Sequence, residues 1–147
     1  MGGVRIETTR FGPVEASEEE VVRFPGLPGF PEARRFVVRG HDRGWELGWL
    51  ISMDVPDLAF VVTDPFQFFP DYAPALGEEL LRGLEVQAQE DLALLVIASV
   101  REGDVTLNLA APLVINSRTR TGVQLILDQS DYPTRAALPA LEEEPQS

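Results

Sequence analysis

The sequence predicts an all-β fold, specifically a small antiparallel β-barrel that carries one short helix. Short apolar runs recur along the chain, and several alternate apolar with polar residues as half-buried strands do. Turn-forming residues separate these runs, which is typical of sandwiches and barrels. A single stretch shows helical spacing of its leucines. We expect closure into a barrel because closure removes open sheet edges.

Strands are predicted first in the N-terminal half. Two prolines and two glycines within residues 25–29 interrupt the strands, and His41–Gly44 is predicted to form a polar turn. Pro31–Arg35 suits one helical turn that begins with proline. The strands in this half are Val4–Thr8, Val14–Ala16, Val21–Phe24, Phe36–Arg39, Leu47–Ser52 and Leu58–Thr63.

The second half continues the β pattern after the helix. Leu80, Leu81 and Leu84 lie at helical spacing, and Gly83 predicts that this helix is short. Leu92–Val100 predicts a strand buried on both faces. The segments that follow it are a tight link at 102–104, an alternating strand at 105–109, a hairpin of Leu113–Ile115 with Val123–Leu127 around the loop 118–122, and irregular chain from Asp128.

The stretch TDPFQFFPDY, residues 63–72, mixes aromatic rings with turn residues. Asp64 and Phe69 precede prolines, which favours extended backbone at both. Since neither proline donates to a ladder, we expect the stretch to continue the preceding strand without being a central strand. Either another element, such as the helix leucines, covers its phenylalanines, or some rings await a partner.

Length and composition are those of an ordinary globular domain. The chain has 147 residues, 44% of them hydrophobic and 24% charged. We expect one domain over residues 1–137 and an acidic, disordered tail over 138–147. The absence of cysteine favours a reducing, cytoplasmic setting. The first residues contain no run of signal-peptide type, and the longest apolar run, 92–98, is too short to span a bilayer.

The charge is strongly acidic. Asp and Glu number 24 against 12 cations, all arginine, which gives a net charge of −12. Such a chain is a poor partner for nucleic acid or anionic membrane, and it attracts basic proteins. Solubility alone also accounts for this charge. Two acidic clusters are solvated faces or binding surfaces: Glu15 with Glu18–Glu20, and Glu78, Glu79, Glu85, Glu90 and Asp91.

Catalytic patterns are sparse. His41 is the single histidine, and no glycine-rich phosphate loop is present. Asp64 and Asp71 would form a carboxylate pair only if a sharp bend joined them, because seven extended residues span about 23 Å. We therefore predict no catalytic, cofactor or metal site. An enzymatic function is kept as an alternative hypothesis.

Several motifs resemble one bacterial family. Residues 24–30, FPGLPGF, are similar to the proline- and glycine-rich signature of the flagellar assembly factor FliW family. Similar blocks follow in the family's order over residues 4 to about 135. These blocks are 58–60, 63–66, 68–72, 108–116 and 118–127.

This resemblance implies a regulatory binding protein without catalysis or cofactor, built as a small β-barrel and monomeric on its own. Members bind flagellin before its secretion. When free, they bind CsrA, a small basic RNA-binding dimer, by an allosteric, non-competitive route that relieves repression of flagellin mRNA. The alternative is a chaperone-like binder of another secreted or basic client, without CsrA regulation.

Protein-binding residues are predicted on this basis. The apolar loops are candidates to grip an amphipathic flagellin terminus. The segment 116–120 is either a polar contact loop or a hairpin end, and Gly26 and Gly29 are expected to serve turn geometry. The predicted contact residues are Leu27, Phe30, Asp64, Phe66, Phe69, Asp71, Tyr72, Glu78, Glu79, Asn116 and Arg118.

Overall fold

Eleven strands and one α-helix make up the regular structure of the described chain in this computed structural model. The structure describes residues 3–9, 11–40, 48–101, 104–127 and 132–137. The elements are β1 Gly3–Thr8, β2 Gly12–Ser17, β3 Val21–Arg23, β4 Arg35–Gly40, β5 Gly48–Ser52, β6 Ala59–Thr63, α1 Glu78–Gly83, β7 Leu92–Arg101, β8 Asp104–Leu107, β9 Leu113–Asn116, β10 Thr121–Gln124 and β11 Ala136–Ala137.

Seven of these strands close into a barrel in the order β7, β6, β5, β4, β3, β10, β9 and back to β7. One edge of β7 is divided between two partners, since Leu92–Leu95 pair with β9 and Ala98–Arg101 pair with β8. All neighbours in the ring are antiparallel except β3 and β10, which meet in parallel at Arg23 and Thr121. The predicted barrel with one short helix is confirmed, with this one parallel seam.

The period-two alternation of the strands separates an interior cluster from two outer ones. Val22 faces the interior while Val21 faces out, and Phe36 and Val37 divide in the same way. Along β7, Leu95 and Ile97 pack inside while Val96 and Ala98 join an outer cluster, so this strand has apolar neighbours on both faces as predicted. The β1–β2 hairpin covers the other outer cluster with Ile6, Val14 and Ala16.

The proline- and glycine-rich loop closes over one end of the interior. Leu27 and Phe30 exchange backbone hydrogen bonds of 3.2 and 2.7 Å around Pro28 and Gly29. Gly29 has φ +85°, as the third residue of a type II turn requires, and Gly26 has φ +116°. Turn geometry is therefore confirmed for Gly29, whereas Gly26 also has a packing reason, because a Cβ atom there would lie 2.9 Å from Pro31 O. Leu27 is buried in the interior cluster, and the Phe30 ring lies 6.0 Å from that of Phe60.

Two local predictions are wrong. Residues 31–34 form a turn and not a helical turn, because Asp54 Oδ2 accepts hydrogen bonds from the backbone N–H groups of Arg34 and Arg35 and directs the chain into β4. Residues 64–72 do not continue β6, which ends at Thr63. Asp64 is extended, as predicted, but its carboxylate caps a 3-10 turn at Pro65–Gln67 by accepting from Phe66 N.

Some predictions concern residues that the structure does not describe. These are the polar turn at 41–44, the centre of the link at 102–103 and the tail at 138–147. The register does pair Arg101 with Asp104, which fits a two-residue link. The predicted hairpin of β9 and β10 is confirmed. The short strand β11, which pairs with β8, was not predicted.

Gly122 of β10 has a steric role in the barrel, and replacing it should be costly. A Cβ atom there would lie 2.9 Å from Phe24 Cε2 and 3.0 Å from Ile115 Cγ1. We expect Gly122→Ala to lower the free energy of unfolding by about 1–3 kcal/mol through overpacking. Urea denaturation measures this. Gly3→Ala is the control, because its Cβ would meet nothing within 4 Å. Equal midpoints for both variants would contradict the packing argument.

Candidate functional site

The predicted aromatic contacts lie mostly against an outer cluster. Tyr72 is 5% exposed, and its hydroxyl donates to Leu109 O at 2.7 Å. Phe68 and Phe69 are partly buried beside it, in a cluster that contains none of the α1 leucines. Phe66 is 40% exposed, with its ring 5.9 Å from that of Tyr72. Strands β7, β8 and β11 therefore cover this segment, while Phe66 remains accessible.

Burial raises the pKa of Tyr72, and the nearby Tyr132 raises it further. The rings of these two tyrosines meet edge to face at 4.8 Å. Asp71 is exposed at the end of the same segment, while the carboxylate of Asp64 is engaged in its cap. The segment thus offers one accessible ring, that of Phe66, and one exposed carboxylate, that of Asp71.

A groove of about 580 Å³ separates α1 from the β3–β10 seam, and we call it the seam groove. Its walls are mainly apolar, with carboxylates on the helix side and one arginine on the barrel side. Of the predicted contacts, Glu79 lines it directly. The lining residues are Arg23, Phe24, Pro25, Glu79, Leu80, Gly83, Leu84, Glu85, Thr119, Thr121, Gly122 and Val123.

Asn116 fixes the helical wall of the seam groove. This side chain is fully buried at the end of β9. Its Nδ2 donates to Leu84 O at 2.7 Å and to Glu85 O at 3.2 Å, and its Oδ1 accepts from the backbone N–H groups of Arg118 and Thr119. Arg118 Nη2 also donates to Glu85 O, at 2.7 Å. The loop 116–120 is thus a hairpin end whose polar groups hold the C-terminal end of α1.

Asp91 ties the segment after α1 to the same hairpin. Its Oδ2 accepts from Gln87 N at 3.1 Å, from Ala88 N at 3.2 Å and from Arg118 Nε at 3.4 Å. The hydrogen bond from Gln87 N is the largest cause that lowers the pKa of Asp91. Those from Ala88 N and Arg118 lower it further, and desolvation opposes them. This carboxylate of the second acidic cluster is therefore structural.

Two strained residues border the seam groove. Among the described non-glycine residues, only Glu85 (φ +59°) and Arg120 (φ +63°) have positive φ. Glu85 follows α1 at the position where helices usually place glycine, and Val86 N donates back to Leu81 O. Arg120 lies between the lining residues Thr119 and Thr121. Backbone strain of this kind tends to cluster at functional sites.

Most residues that line the seam groove were not predicted from the sequence. Glu79 was predicted, and Glu78 lies beside it on the exposed first turn of α1. Arg23 and Thr121 were not predicted, because they meet only through the seam between distant parts of the chain. In the first acidic cluster, Glu20 accepts from Ser17 N and from Arg39 Nη2, so part of that cluster is structural as well.

Among the residues that the structure describes, no helix is long and apolar enough to cross a membrane. Within the same residues, no group of three or more His, Cys, Asp or Glu side chains is placed to hold a metal ion.

Comparison with known proteins gives consistent matches. A family model described as FliW protein matches residues 5–138. A flagellar assembly factor FliW of Desulfitobacterium hafniense (strain DSM 10664 / DCB-2) is 39% identical over 92% of this chain and 91% of its own. That of Geobacillus kaustophilus (strain HTA426) is 39% identical over 92% and 95%. A crystal structure of the flagellar assembly factor FliW superposes with a TM-score of 0.84 at 37% identity, covering 91% of this chain and 96% of that one.

Removal of the Asn116 amide tests the hydrogen bonds that hold the helical wall. In Asn116→Ala, Leu84 O and the N–H groups of Arg118 and Thr119 lose their partner in a buried site. We expect the free energy of unfolding to fall by about 2–4 kcal/mol. Denaturant unfolding followed by tryptophan fluorescence measures it. Ser117→Ala, which removes only one exposed hydrogen bond from the hydroxyl to Asp91 O, is the control, and an equal effect of both would contradict a special role for Asn116.

The lowered pKa of Asp91 predicts a pH dependence of stability. A carboxyl whose pKa is lower when folded than its ordinary value near 3.9 stabilises the fold above that value. This contribution is lost as the pH falls through the folded pKa. The stability gap between wild type and Asp91→Asn should therefore be constant from pH 7 to about 5 and shrink below about 4.

Thermal unfolding between pH 3 and pH 7 measures this gap, with Glu90→Gln as the exposed neighbouring control. If the stability difference between wild type and Asp91→Asn stayed constant down to pH 3, the ionisation of Asp91 would not contribute to the pH dependence of stability.

Proposed function

This chain belongs to the FliW family, and we propose that it is a flagellar assembly factor that binds flagellin and antagonises the translational repressor CsrA. The observation that carries the proposal is the family match over residues 5–138, together with about 39% identity to flagellar assembly factors over nearly the whole chain. In this proposal the protein works in the cytoplasm by association, and it makes or breaks no covalent bond.

The two partners are used in sequence. Flagellin occupies the protein before secretion; its export frees the protein to bind CsrA at a site other than the RNA site. CsrA then releases flagellin mRNA. The net charge of −12 supports this role, because such a field accelerates encounter with a basic protein at low salt and disfavours RNA.

Exposure separates the predicted contact residues by the role that each is able to play. Leu27, Tyr72 and Asn116 are buried. In this conformation they support the residues at the surface and are not themselves exposed to a partner. Phe66 is the predicted aromatic contact most open to solvent, and it lies on a folded base formed by Tyr72. A preplaced exposed ring is a favourable anchor for an apolar helix face, so we assign Phe66 to flagellin binding.

Calorimetric titration against purified flagellin and purified CsrA tests the proposal. We expect wild type to bind both, flagellin to displace CsrA, and CsrA binding to weaken with salt. Phe66→Ala should weaken flagellin binding about tenfold, because an aromatic anchor loses its contact area.

Ile126→Ala is the matched control, since Ile126 is the other large apolar residue exposed in the described chain, at 51%. If wild type bound neither partner at low salt, the proposed function would fail. If the two variants lost flagellin affinity equally, only the assignment of Phe66 would fail.

A further inference from the structure

The seam groove contains a sheet edge that the barrel leaves open. Leu125 N donates to Pro112 O on the β9 side, whereas Arg120 O accepts from Arg23 N on the β3 side. Because backbone groups alternate along a strand, those of Gly122 and Gln124 face β3. The parallel pair Arg23–Thr121 is completed by the Gly122 N–H, which donates to Arg23 O. Beyond it, Gly122 O and the backbone groups of Gln124 face the β3 side, where no described strand pairs with them.

The open edge arises because β3 turns away. Phe24 N donates to Arg34 O, toward β4, and the following Pro25 has no N–H to offer. The chain then enters the loop that closes the barrel. Phe24 and Pro25 thus form one wall of the groove, and Gly122 and Val123 lie at its base. An unpaired edge at the base of an apolar groove is the arrangement that proteins use for strand addition.

The opposite wall, α1, is held more by hydrogen bonds than by packing. None of its residues belongs to the three apolar clusters, and it has only six residues. A helix this short is marginal by itself, and Asn116 and Arg118 secure its C-terminal end. This wall is therefore able to shift when a segment enters beside it.

Gly83 has no internal reason to be glycine. It ends α1 and lines the groove, and a Cβ atom there would meet nothing within 4 Å. Glycine in a helix costs about 0.5–1 kcal/mol relative to alanine. Gly122, by contrast, is required by the Phe24 ring. The missing side chain at Gly83 leaves space for a group that comes from outside this chain.

Charge defines that outside group. Glu79 and Glu85 line the helix side of the groove, against Arg23 alone on the barrel side. Hydrogen bonds from Asn116 and Arg118 to the Glu85 carbonyl stabilise the backbone conformation of Glu85 and keep this residue at the groove. A cationic side chain is the complement of this pair, while the apolar walls and the sheet edge suit alternate apolar side chains of an extended backbone.

We propose that the edge of β10 from Gly122 to Gln124 binds an extended segment of a protein partner by strand addition, with an apolar side chain in the seam groove and a Lys or Arg against Glu79 and Glu85. The inference deepens the proposed function, since it states how a basic partner is held. It assigns this edge to a protein segment and not to a second copy of the chain.

Amide hydrogen exchange of the labelled protein tests the pairing directly. In complex with CsrA, the basic partner of the proposed function, the Gln124 amide should exchange at least about tenfold more slowly than in the free protein. Unchanged exchange of this amide in that complex overturns the proposal. Protection that rises with the concentration of the protein alone also overturns it, because a second copy would then occupy the edge.

Matched variants test the groove. Gly83→Met should raise or maintain the melting temperature, because it removes a helical glycine, and yet weaken binding of the protecting partner about tenfold by filling the groove. Glu79→Gln with Glu85→Gln should weaken it similarly, whereas Glu32→Gln, exposed and not lining the groove, should change it by less than about twofold. Wild-type affinity in Gly83→Met overturns the proposal.

A designed pair of ten-residue peptides separates this proposal from the proposed function. One alternates Val with Lys, and the other alternates Val with Glu. Binding of the Val/Lys peptide with protection of Gln124, and no binding of the Val/Glu peptide, supports the edge even if neither CsrA nor flagellin binds. Equal binding of the Val/Lys peptide to wild type and Gly83→Met overturns it even if both proteins bind.

Discussion

Closure of the barrel through β7 is the constraint on which the rest of the structure depends. This strand is ten residues long and has three neighbours, because β9 and β8 share one of its edges while β6 takes the other. Its alternate side chains also belong to different clusters, with Leu95 and Ile97 inside and Val96 and Ala98 outside. A fully buried Val, Leu or Ile side chain contributes about 1.5–3 kcal/mol. The apolar side chains of β7 therefore stabilise the interior and the outer surface together.

A closed barrel needs a junction between strands that are far apart in the sequence. Here that junction is the seam between β3 and β10. Pro25 explains why the seam consists of a single pair, since a residue without an N–H cannot extend a ladder. The same proline- and glycine-rich loop then returns Leu27 and Phe30 to the interior cluster. One sequence motif therefore seals the end of the barrel and opens the groove beside it.

Local patterns predicted the strands, the helix and the hairpins because these depend on alternation and turn residues close in sequence. Predictions of local structure were wrong where a residue distant in sequence determined the backbone conformation, or where one motif is compatible with two structures. Asp54 turned residues 31–34 away from a helix, and Asp64–Pro65 proved to be a helix-start signal where a strand extension was expected. The seam groove has no local signal, since Arg23 and Thr121 are far apart in the chain. Nor does any propensity predict positive φ at Glu85.

The strained Glu85 connects the energetics of the fold to its surface charge. A left-handed conformation costs a non-glycine residue about 1–2 kcal/mol, which glycine would avoid. Hydrogen bonds from Asn116 and Arg118 to the Leu84 and Glu85 carbonyls, each contributing about 0.5–1.5 kcal/mol, offset this cost. The chain thus holds a carboxylate-bearing residue where glycine would be more stable. Under the proposed function, the diffuse charge of −12 would attract cationic proteins from a distance without distinguishing them, whereas the carboxylate at the rim of the apolar groove would select a cation beside an apolar side chain.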